Sequence, residues 1–283
     1  MVQLAEQRKC SLGEIALAYE TQHLGLSEKE VLNEIVRRFE IMKLAVIQGL
    51  AAKNLGLQLL LPSAHKVFQA EIEGKVAIGG IHTRAAARAM AALHVSNSMG
   101  IVCAAPTGGS AGVIPGVVVT LAEEKNLTQG ESAMALLAAS AIGLIVAKRA
   151  TFAAEVAGCQ VEIGVAGAMG ASAVVEVAGG SAREATDAAA ISLQNTMGSV
   201  CDLVQGICEI PCHTRNAVAA SSAFVCADLI LGGYHNPIPL DETIDAVFAS
   251  GKMLPSELRC TSLGGLAVTP SALSLPRLRP GKK

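Results

Sequence analysis

Tryptophan is absent from this chain, and aromatic residues make up only 2% of it. The core must therefore be filled mainly by Ala, Val, Leu, Ile and Gly, side chains small enough to let helices approach closely. Charge is sparse as well: Asp, Glu, Lys and Arg together are 16% of the residues, and the formal net charge is −2. With its Lys and Arg scattered, the chain offers no basic patch to nucleic acid or to an anionic membrane, and neither is expected as a partner. No apolar signal-peptide core follows the charged start Met1-Val2-Gln3-Leu4-Ala5-Glu6-Gln7-Arg8-Lys9, so a cytoplasmic location is expected. Outside the oxidising compartments, the eight cysteines are buried, catalytic or metal-bound more often than paired. No two of them have the CxxC spacing of a zinc ribbon.

Long charge-free stretches are present, and they invite a membrane reading. Residues 95–122 carry no charge, but Pro106, Pro115, several glycines and several hydroxyls make them a poor lipid-facing helix. Residues 132–147 are also uncharged, yet this run is short for a span and is bounded by Glu131 and Lys148. Buried helices of a large folded domain account for both.

Helical signals recur along the 283 residues. Ser11-x-x-Glu14 and Ser27-x-x-Glu30 are capping boxes. After the second, Val31, Ile35, Phe39, Met42, Val46 and Leu50 repeat at helical spacing, with Glu34, Arg37, Arg38 and Lys43 on the other face. This predicts an amphipathic, peripheral helix that ends before Lys53-Asn54-Leu55-Gly56. Further helices are expected over 82–94, up to Glu124, and over 132–149, 161–177, 182–196, 217–231 and 241–251. Gly164, Gly167 and Gly170 would give the fourth of these a flat face for close backbone approach. Nothing resembles a run of alternating strands, and no internal repeat occurs. The expected class is all-α: one helical domain over 1–268, with amphipathic N-terminal helices (1–60) and a core (80–268). A disordered Pro- and Lys-rich tail is expected over 269–283.

Two features carry chemistry. The first is the stretch 98–116, with Ser98, Pro106-Thr107-Gly108-Gly109-Ser110, Gly112 and Pro115-Gly116. A Gly- and Ser-rich turn feeding a helix presents N–H groups and hydroxyls to a small anion. It is not a P-loop, since it contains no Lys. A carboxylate fits as well as a phosphate, and a tight turn between packed helices is the competing reading. The second feature is the set of cysteines in Gly- or Pro-flanked, nearly uncharged contexts: Gly158-Cys159-Gln160-Val161-Glu162, Gly198-Ser199-Val200-Cys201-Asp202 and Glu209-Ile210-Pro211-Cys212-His213. Thiolates gathered from distant sequence suit an iron–sulfur cluster, and three ligands on a four-iron cube leave one iron open. Cys10, Cys103 and Cys226 read as small buried hydrophobes. Cys208 and Cys260 do not, and spacing alone does not select three ligands from Cys159, Cys201, Cys208, Cys212 and Cys260.

The motifs in combination resemble the iron–sulfur-dependent L-serine dehydratases, and among them the α subunit of the two-chain enzymes. They comprise the 98–116 loop, Gly158-Cys159-Gln160-Val161-Glu162-Ile163-Gly164, Asn195-Thr196-Met197-Gly198-Ser199-Val200-Cys201-Asp202 and Glu209-Ile210-Pro211-Cys212-x-x-Arg215-Asn216. The likeness runs from about residue 10 to about residue 270 and includes the gaps of 41 and 10 residues between the three cysteines. The resemblance implies a [4Fe–4S] cluster on Cys159, Cys201 and Cys212 in an all-helical catalytic domain. It implies that Cys208, where relatives carry an aliphatic residue, is not a ligand. It implies L-serine as substrate, a β partner with an ACT-like domain, and an oligomer. The chain departs from the pattern at Leu203 and Gln205, at Ala153-Ala154-Glu155, and at Cys260, where relatives carry Glu. Single-chain relatives end in a cysteine that caps the open iron, whereas Lys283 stands last here.

The reaction so implied takes L-serine to pyruvate and ammonia. Ser98, Thr107, Ser110, Gly112 and Asn216 are the expected substrate-binding residues, with Ser110 and Gly112 offering free N–H groups. Glu162 and His213 are the two candidates for the base that removes the α-proton, unless the partner chain supplies it. A threonine dehydratase or cysteine desulfidase would use the same cluster, and a scaffold subunit without a cluster is the non-enzymatic alternative. Cys260 is a candidate cap on the open iron, and this requires its sulfur to lie near the other three.

Overall fold

The structure, a computed structural model, describes residues 1–51 and 55–278. In chain order its helices are α1 (Val2–Arg8), α2 (Leu12–Leu24), α3 (Glu28–Ala51), α4 (Ala64–Ile72), α5 (Ile81–Asn97), α6 (Val113–Lys125), α7 (Gln129–Arg149), α8 (Ala154–Ala157), α9 (Ile163–Val177), α10 (Ala182–Thr196), α11 (Cys212–Leu231), α12 (Leu240–Lys252) and α13 (Pro270–Ser274). The all-α expectation holds among the described residues. The exception is one short parallel pair, β1 (Cys201–Asp202) with β2 (Arg259–Thr261).

Local signals set most helix starts. Ser11, Thr128 and Ser181 cap α2, α7 and α10 in full capping boxes with Glu14, Glu131 and Glu184. Ser27 and Glu30 exchange the same two bonds at the start of α3. Each such cap stabilises its helix by about 1 kcal/mol. Helix α11 begins five residues before the expected 217, because Pro211 ends the preceding loop and the helix takes in the Cys212-His213-Thr214-Arg215 turn. Helix α4 was not expected; it follows directly on the Leu61-Pro62-Ser63 break.

Helix α9 is the axis of the fold. It is buried from Ile163 to Val175 and is surrounded by α6, α7, α10 and α11. Its glycine stripe packs against side chains rather than a single facing backbone: a Cβ on Gly170 would lie 3.1 Å from Val117 Cγ2 and 3.3 Å from Ala223 Cβ. The true backbone contacts lie elsewhere. Gly49 of α3 packs on the Ala91 carbonyl of α5, and Gly112 packs on the Ala89 carbonyl, each leaving no room for a Cβ. Helix α7, and the helical segment Cys159–Val177 that contains α9, are long and apolar enough to cross a membrane. Both lie mostly inside the fold, with α7 reaching 21 residues, past the 132–147 run. One continuous apolar core extends from Ala5 to Val247. Val31, Phe39, Met42 and Val46 join α3 to it, while Glu34 pairs with Arg37 and Arg38 on the outer face.

The tail from 269 is not disordered through 278. Thr269 caps α13, and Ala272 packs with Leu59 and Val204 in a second small core. The Leu278 N–H donates to the Gln58 carbonyl at 2.6 Å, and Gln205 Nε2 donates to the Leu275 carbonyl at 2.6 Å. A Pro-rich composition tolerates such a segment once another element supplies backbone partners. Residues 279–283 lie outside the described residues.

Candidate active site

The loop between α8 and α9 presents Cys159. Gly158 turns the chain at φ 76°, and a Cβ there would lie 2.6 Å from the Ser199 carbonyl, so the Cys159 and Cys201 segments touch backbone to backbone. Gln160, fully buried, ties them further: its Nε2 donates to the Ala157 carbonyl at 2.9 Å and its Oε1 accepts from Gly198 N at 2.9 Å. Cys201 opens β1, and Cys212 is the first residue of α11. All three cysteines are buried.

The three expected ligand cysteines come from three separate segments, and two of them, Cys159 and Cys201, meet. The thiols of Cys159 and Cys201 and the Glu162 carboxylate lie within 4.8 Å of one another. Cys212 stands outside that triplet but close enough to Cys159 and Glu162 to feel their charge. Contact with the Cys201 thiol, helped by the Arg215 guanidinium, holds the Cys159 thiol below its ordinary value despite burial. Contact with Cys159 together with burial pushes the Cys201 thiol up, and contact with Cys208 together with burial does the same to Cys212.

Arg215, one turn into α11, is the positive charge of this site. Its Nη1 donates to the Val200 carbonyl at 2.8 Å and points at Cys159 Sγ at 3.7 Å, while Nη2 pairs with Asp202 at 2.9 Å. Asp202 in turn accepts from Leu266 N at 2.7 Å, tying down the loop after β2. A cavity of about 300 Å³ opens against Cys159 between Asn195, Thr196, Thr214 and Arg215. A larger cavity of about 520 Å³, bounded by Met1, Leu12, Arg183 and Asp241, contains none of the cysteines.

Cys260 lies beside this group. It is the extra residue of a bulge in β2, held at φ 61° and exposed, and its thiol is within hydrogen-bonding reach of Cys201. Cys208 lies four residues before Cys212, in the loop that leads into α11.

The 98–116 loop meets the cysteines through Glu162. The Thr107 hydroxyl donates to Glu162 Oε1, and Gly109 packs so closely that a Cβ would lie 2.5 Å from the same oxygen. Burial pushes the Glu162 carboxyl up, and the Thr107 and Gly109 donors offset this only in part. The expected free N–H groups of Ser110 and Gly112 are not free. Ser110 N donates to Thr107 Oγ1 at 3.3 Å, and Gly112 N donates to Asn216 Oδ1 at 3.1 Å. Asn216 also donates to the carbonyls of Gly109 and Cys212, at 2.8 and 2.9 Å, and is fully buried. It braces the loop against α11 with every amide group engaged. Gly112 is required by α5, not by a ligand. Gly108 N–H, at the loop's open tip, has no partner among the described residues.

Ser98 and His213 fall on the far side of Cys212. Ser98 ends α5, and its enclosed hydroxyl has no partner among the described residues. Its neighbour Asn97 donates to the Cys208 carbonyl and also approaches His213 Nε2 at 2.9 Å. Because the same amide nitrogen must donate to a carbonyl, His213 Nε2 is an acceptor and the ring proton sits on Nδ1. Burial pushes His213 down to about 3 and His94, whose ring lies 4.8 Å away, down to about 4. His213 is therefore a buried neutral side chain, not an exposed helix-start residue.

Asn97 was not noticed by sequence reasoning, and Gln160, Asp202, Glu209 and Arg215 appeared only as members of motifs, with no role assigned. A lone cation in an almost uncharged stretch, one turn after Cys212, was the available signal for Arg215. Glu209 had none. Its buried carboxylate accepts from the N–H groups of Gln58, Leu59 and Leu60 at 2.6, 2.9 and 2.8 Å. Each such charged bond is worth roughly 1.5–3 kcal/mol. Replacing Glu209 with Ala is expected to cost about 3 kcal/mol or more and to lower the melting midpoint by roughly 6–10 °C at this chain length. A thermal melt of the two proteins checks this.

Together these elements define a class: an all-helical protein in which buried thiols, one guanidinium and the carboxylates of Asp202 and Glu162 meet beneath a glycine-rich loop. The family model described as "Serine dehydratase alpha chain" matches residues 7–267. Over 98% of its length the chain is 35% identical to a Bacillus subtilis (strain 168) protein named "Probable L-serine dehydratase, alpha chain", covering 92% of that protein. It is 32% identical over 94% of its length to the "L-serine dehydratase, alpha chain" of Peptoniphilus asaccharolyticus, again covering 92% of it. A match to the "L-serine dehydratase" of Helicobacter pylori (strain ATCC 700392 / 26695), 36% identical over 65% of this chain, spans 40% of that longer protein. The chain belongs to the serine dehydratase alpha chain family.

Proposed function

We propose that the chain is the α subunit of an L-serine dehydratase, a lyase that converts L-serine to pyruvate and ammonia, and that Cys159, Cys201 and Cys212 hold a [4Fe–4S] cluster. The observation that carries this reading is the meeting of the buried Cys159 and Cys201 thiols with Glu162 and Arg215, with the third buried thiol, Cys212, near Cys159 and Glu162. The donor set fits the group. Soft thiols with no imidazole among them suit iron and sulfide, and Arg215 supplies positive charge beside a donor that must be a thiolate. When bound, such a cluster would supply a Lewis-acidic iron for the charge that develops on the departing hydroxyl.

The protein's own groups supply the rest. Glu162 takes the α-proton: it is a half-buried carboxylate with a raised affinity for protons, and Thr107 and Gly109 fix its orientation. His213 is set aside as the base, since its acceptor nitrogen is engaged by Asn97 and burial disfavours its charged form. The free Gly108 N–H at the loop tip binds the α-carboxylate, replacing the expected Ser110 and Gly112 donors, while Thr107 has its hydroxyl on Glu162 and its N–H on Ser110 Oγ. Ser110 and Asn216 hold that tip in place. Loss of the α-proton and the β-hydroxyl leaves aminoacrylate, which becomes the imine and hydrolyses in water to pyruvate and ammonia. The α-chain names of the relatives support a β partner, for which an ACT-like domain is proposed, in an oligomeric enzyme.

The test is anaerobic purification and reconstitution, followed by assays with L-serine, L-threonine and L-cysteine, with and without the β chain. Broad visible absorption and pyruvate formation from serine are expected. A colourless protein that still turned serine over would overturn the cluster reading, and an iron-loaded α–β enzyme inert towards serine would overturn the substrate. Cys260, whose thiol reaches Cys201, is proposed as the resting cap on the open iron. Cys260→Ala is then expected to shorten the half-life of activity in air and to abolish any lag before steady state. Unchanged air sensitivity would leave Cys260 as a surface thiol.

A further inference from the structure

We propose that Gln160 is the positioning residue that fixes the separation of Cys159 and Cys201 before any cluster is bound. The cluster belongs to the reading proposed above, whereas the placing of the two thiols stands without it. The Cys159 and Cys201 sulfurs lie within 4.8 Å of each other. Yet no backbone hydrogen bond joins residues 157–161 to residues 198–202 among the described residues. Gly158 meets the Ser199 carbonyl closely, but that contact carries no hydrogen bond. Arg215 reaches both segments, and does so through the Val200 carbonyl and the Cys159 sulfur itself. Gln160 makes the other link, and it leaves both sulfurs free for a ligand.

Both ends of this strut are anchored. The Gln160 amide donates to the Ala157 carbonyl and accepts from Gly198 N, each at 2.9 Å, and its side chain is closed off from water. Such bonds are electrostatically stronger there than in solvent. The Ala157 carbonyl is backed by α12, since a Cβ on Gly251 would lie 2.5 Å from that oxygen and from Ala157 Cβ. At the other end Gly198 turns the chain at φ 86° just after α10, three residues before Cys201. An amide donates at one end and accepts at the other, so one side chain holds a carbonyl and an N–H at a fixed span. Methionine matches its length and volume and can do neither.

The experiment uses the full chain, stripped of iron by a chelator, reduced, and treated with the bifunctional alkylator dibromobimane. Once a thiol has displaced one bromide, the second arm closes on a neighbour at its local concentration. The ratio of bridged to singly labelled Cys159 therefore reads separation rather than exposure. Trypsin with endoproteinase Asp-N puts Cys159 on fragment 150–183, Cys201 on 187–201, Cys208 and Cys212 on 202–215, and Cys260 on 260–277. A bridged pair of 150–183 with 187–201 is expected in the parent. Gln160→Met is expected to lose most of it, with the labelling of Cys212 unchanged. Gln160→Asn keeps the amide but is one methylene too short to reach both ends. It is expected to behave in the same way, and it decides the matter should Gln160→Met not fold.

Absence of the pair from the parent, or a parent-level ratio in the folded variant, overturns the proposal. So does a rise in Cys212 labelling alongside the lost pair, because that marks general loosening around a packing residue. Iron is measured separately after reconstitution. The folded variant is expected to hold it about 10–100-fold more weakly against a chelator, the range for outer partners of metal ligands. A parent that takes up no iron would remove the cluster reading, while the bridging ratio would still decide the role of Gln160.

Discussion

Serine in place of Cys159, Cys201 or Cys212 is expected to leave a folded protein that retains little or no iron and forms almost no pyruvate. A serine hydroxyl is nearly isosteric with a thiol, but it stays protonated at neutral pH and is a hard, weak ligand for iron. Losing even an outer hydrogen-bond partner of a metal ligand commonly costs about 10–100-fold in affinity, and the loss of one of three protein ligands should exceed that. Cys226→Ser is the control. Cys226 is buried on α11 with its thiol pushed up to about 11 by burial, and it should keep its iron. Iron and sulfide analysis with circular dichroism on all four variants decides the matter. Full iron and full turnover in Cys201→Ser would sink the assignment.

Glu162→Gln is expected to lower kcat by roughly 10²–10⁴ while leaving iron content close to that of the parent, if the carboxylate is the base that takes the α-proton. Glutamine keeps the side-chain volume and one acceptor for Thr107, so packing under the loop survives. A plain bracing role predicts the opposite pattern, with cluster and fold stability falling and the turnover per loaded site unchanged. Exchange of the α-hydrogen of serine with solvent deuterium adds a second readout, because the variant should lose it along with turnover. His213→Asn, which retains a hydrogen-bonding side chain next to Asn97, should cost far less per loaded site.

Much of the architecture was legible because its signals are local. A capping box acts within one turn, and so Ser11 and Ser27 could be read directly, whereas the equally local boxes at Thr128 and Ser181 were not read and α7 begins three residues before the expected 132. Apolar spacing likewise placed the buried face of α3. Where a start depended on the preceding loop, as at α11, or on a segment between breaks, as at α4, the local signal was weak and the boundary or the helix was missed. The glycine stripe of α9 was recognised but its partner was not, since glycine marks a close approach without saying what approaches.

The sequence by itself determined the helical class, the loop and cysteine motifs, and through their combination the family. It also contained Glu162 and Arg215 at fixed distances from Cys159 and Cys212. Only the tertiary structure decided what each group does with its hydrogen bonds. Ser110, Gly112 and Asn216 are spent on one another and on α5 and α11, which leaves the loop tip for a ligand. Glu209 finds its donors about 150 positions away, and the tail folds because Gln58 and Gln205 meet it. It alone set the Cys260 bulge beside Cys201. The physical reason is that a side chain's type limits which bonds it can make, while packing of segments distant in sequence selects the partner that is there to make them.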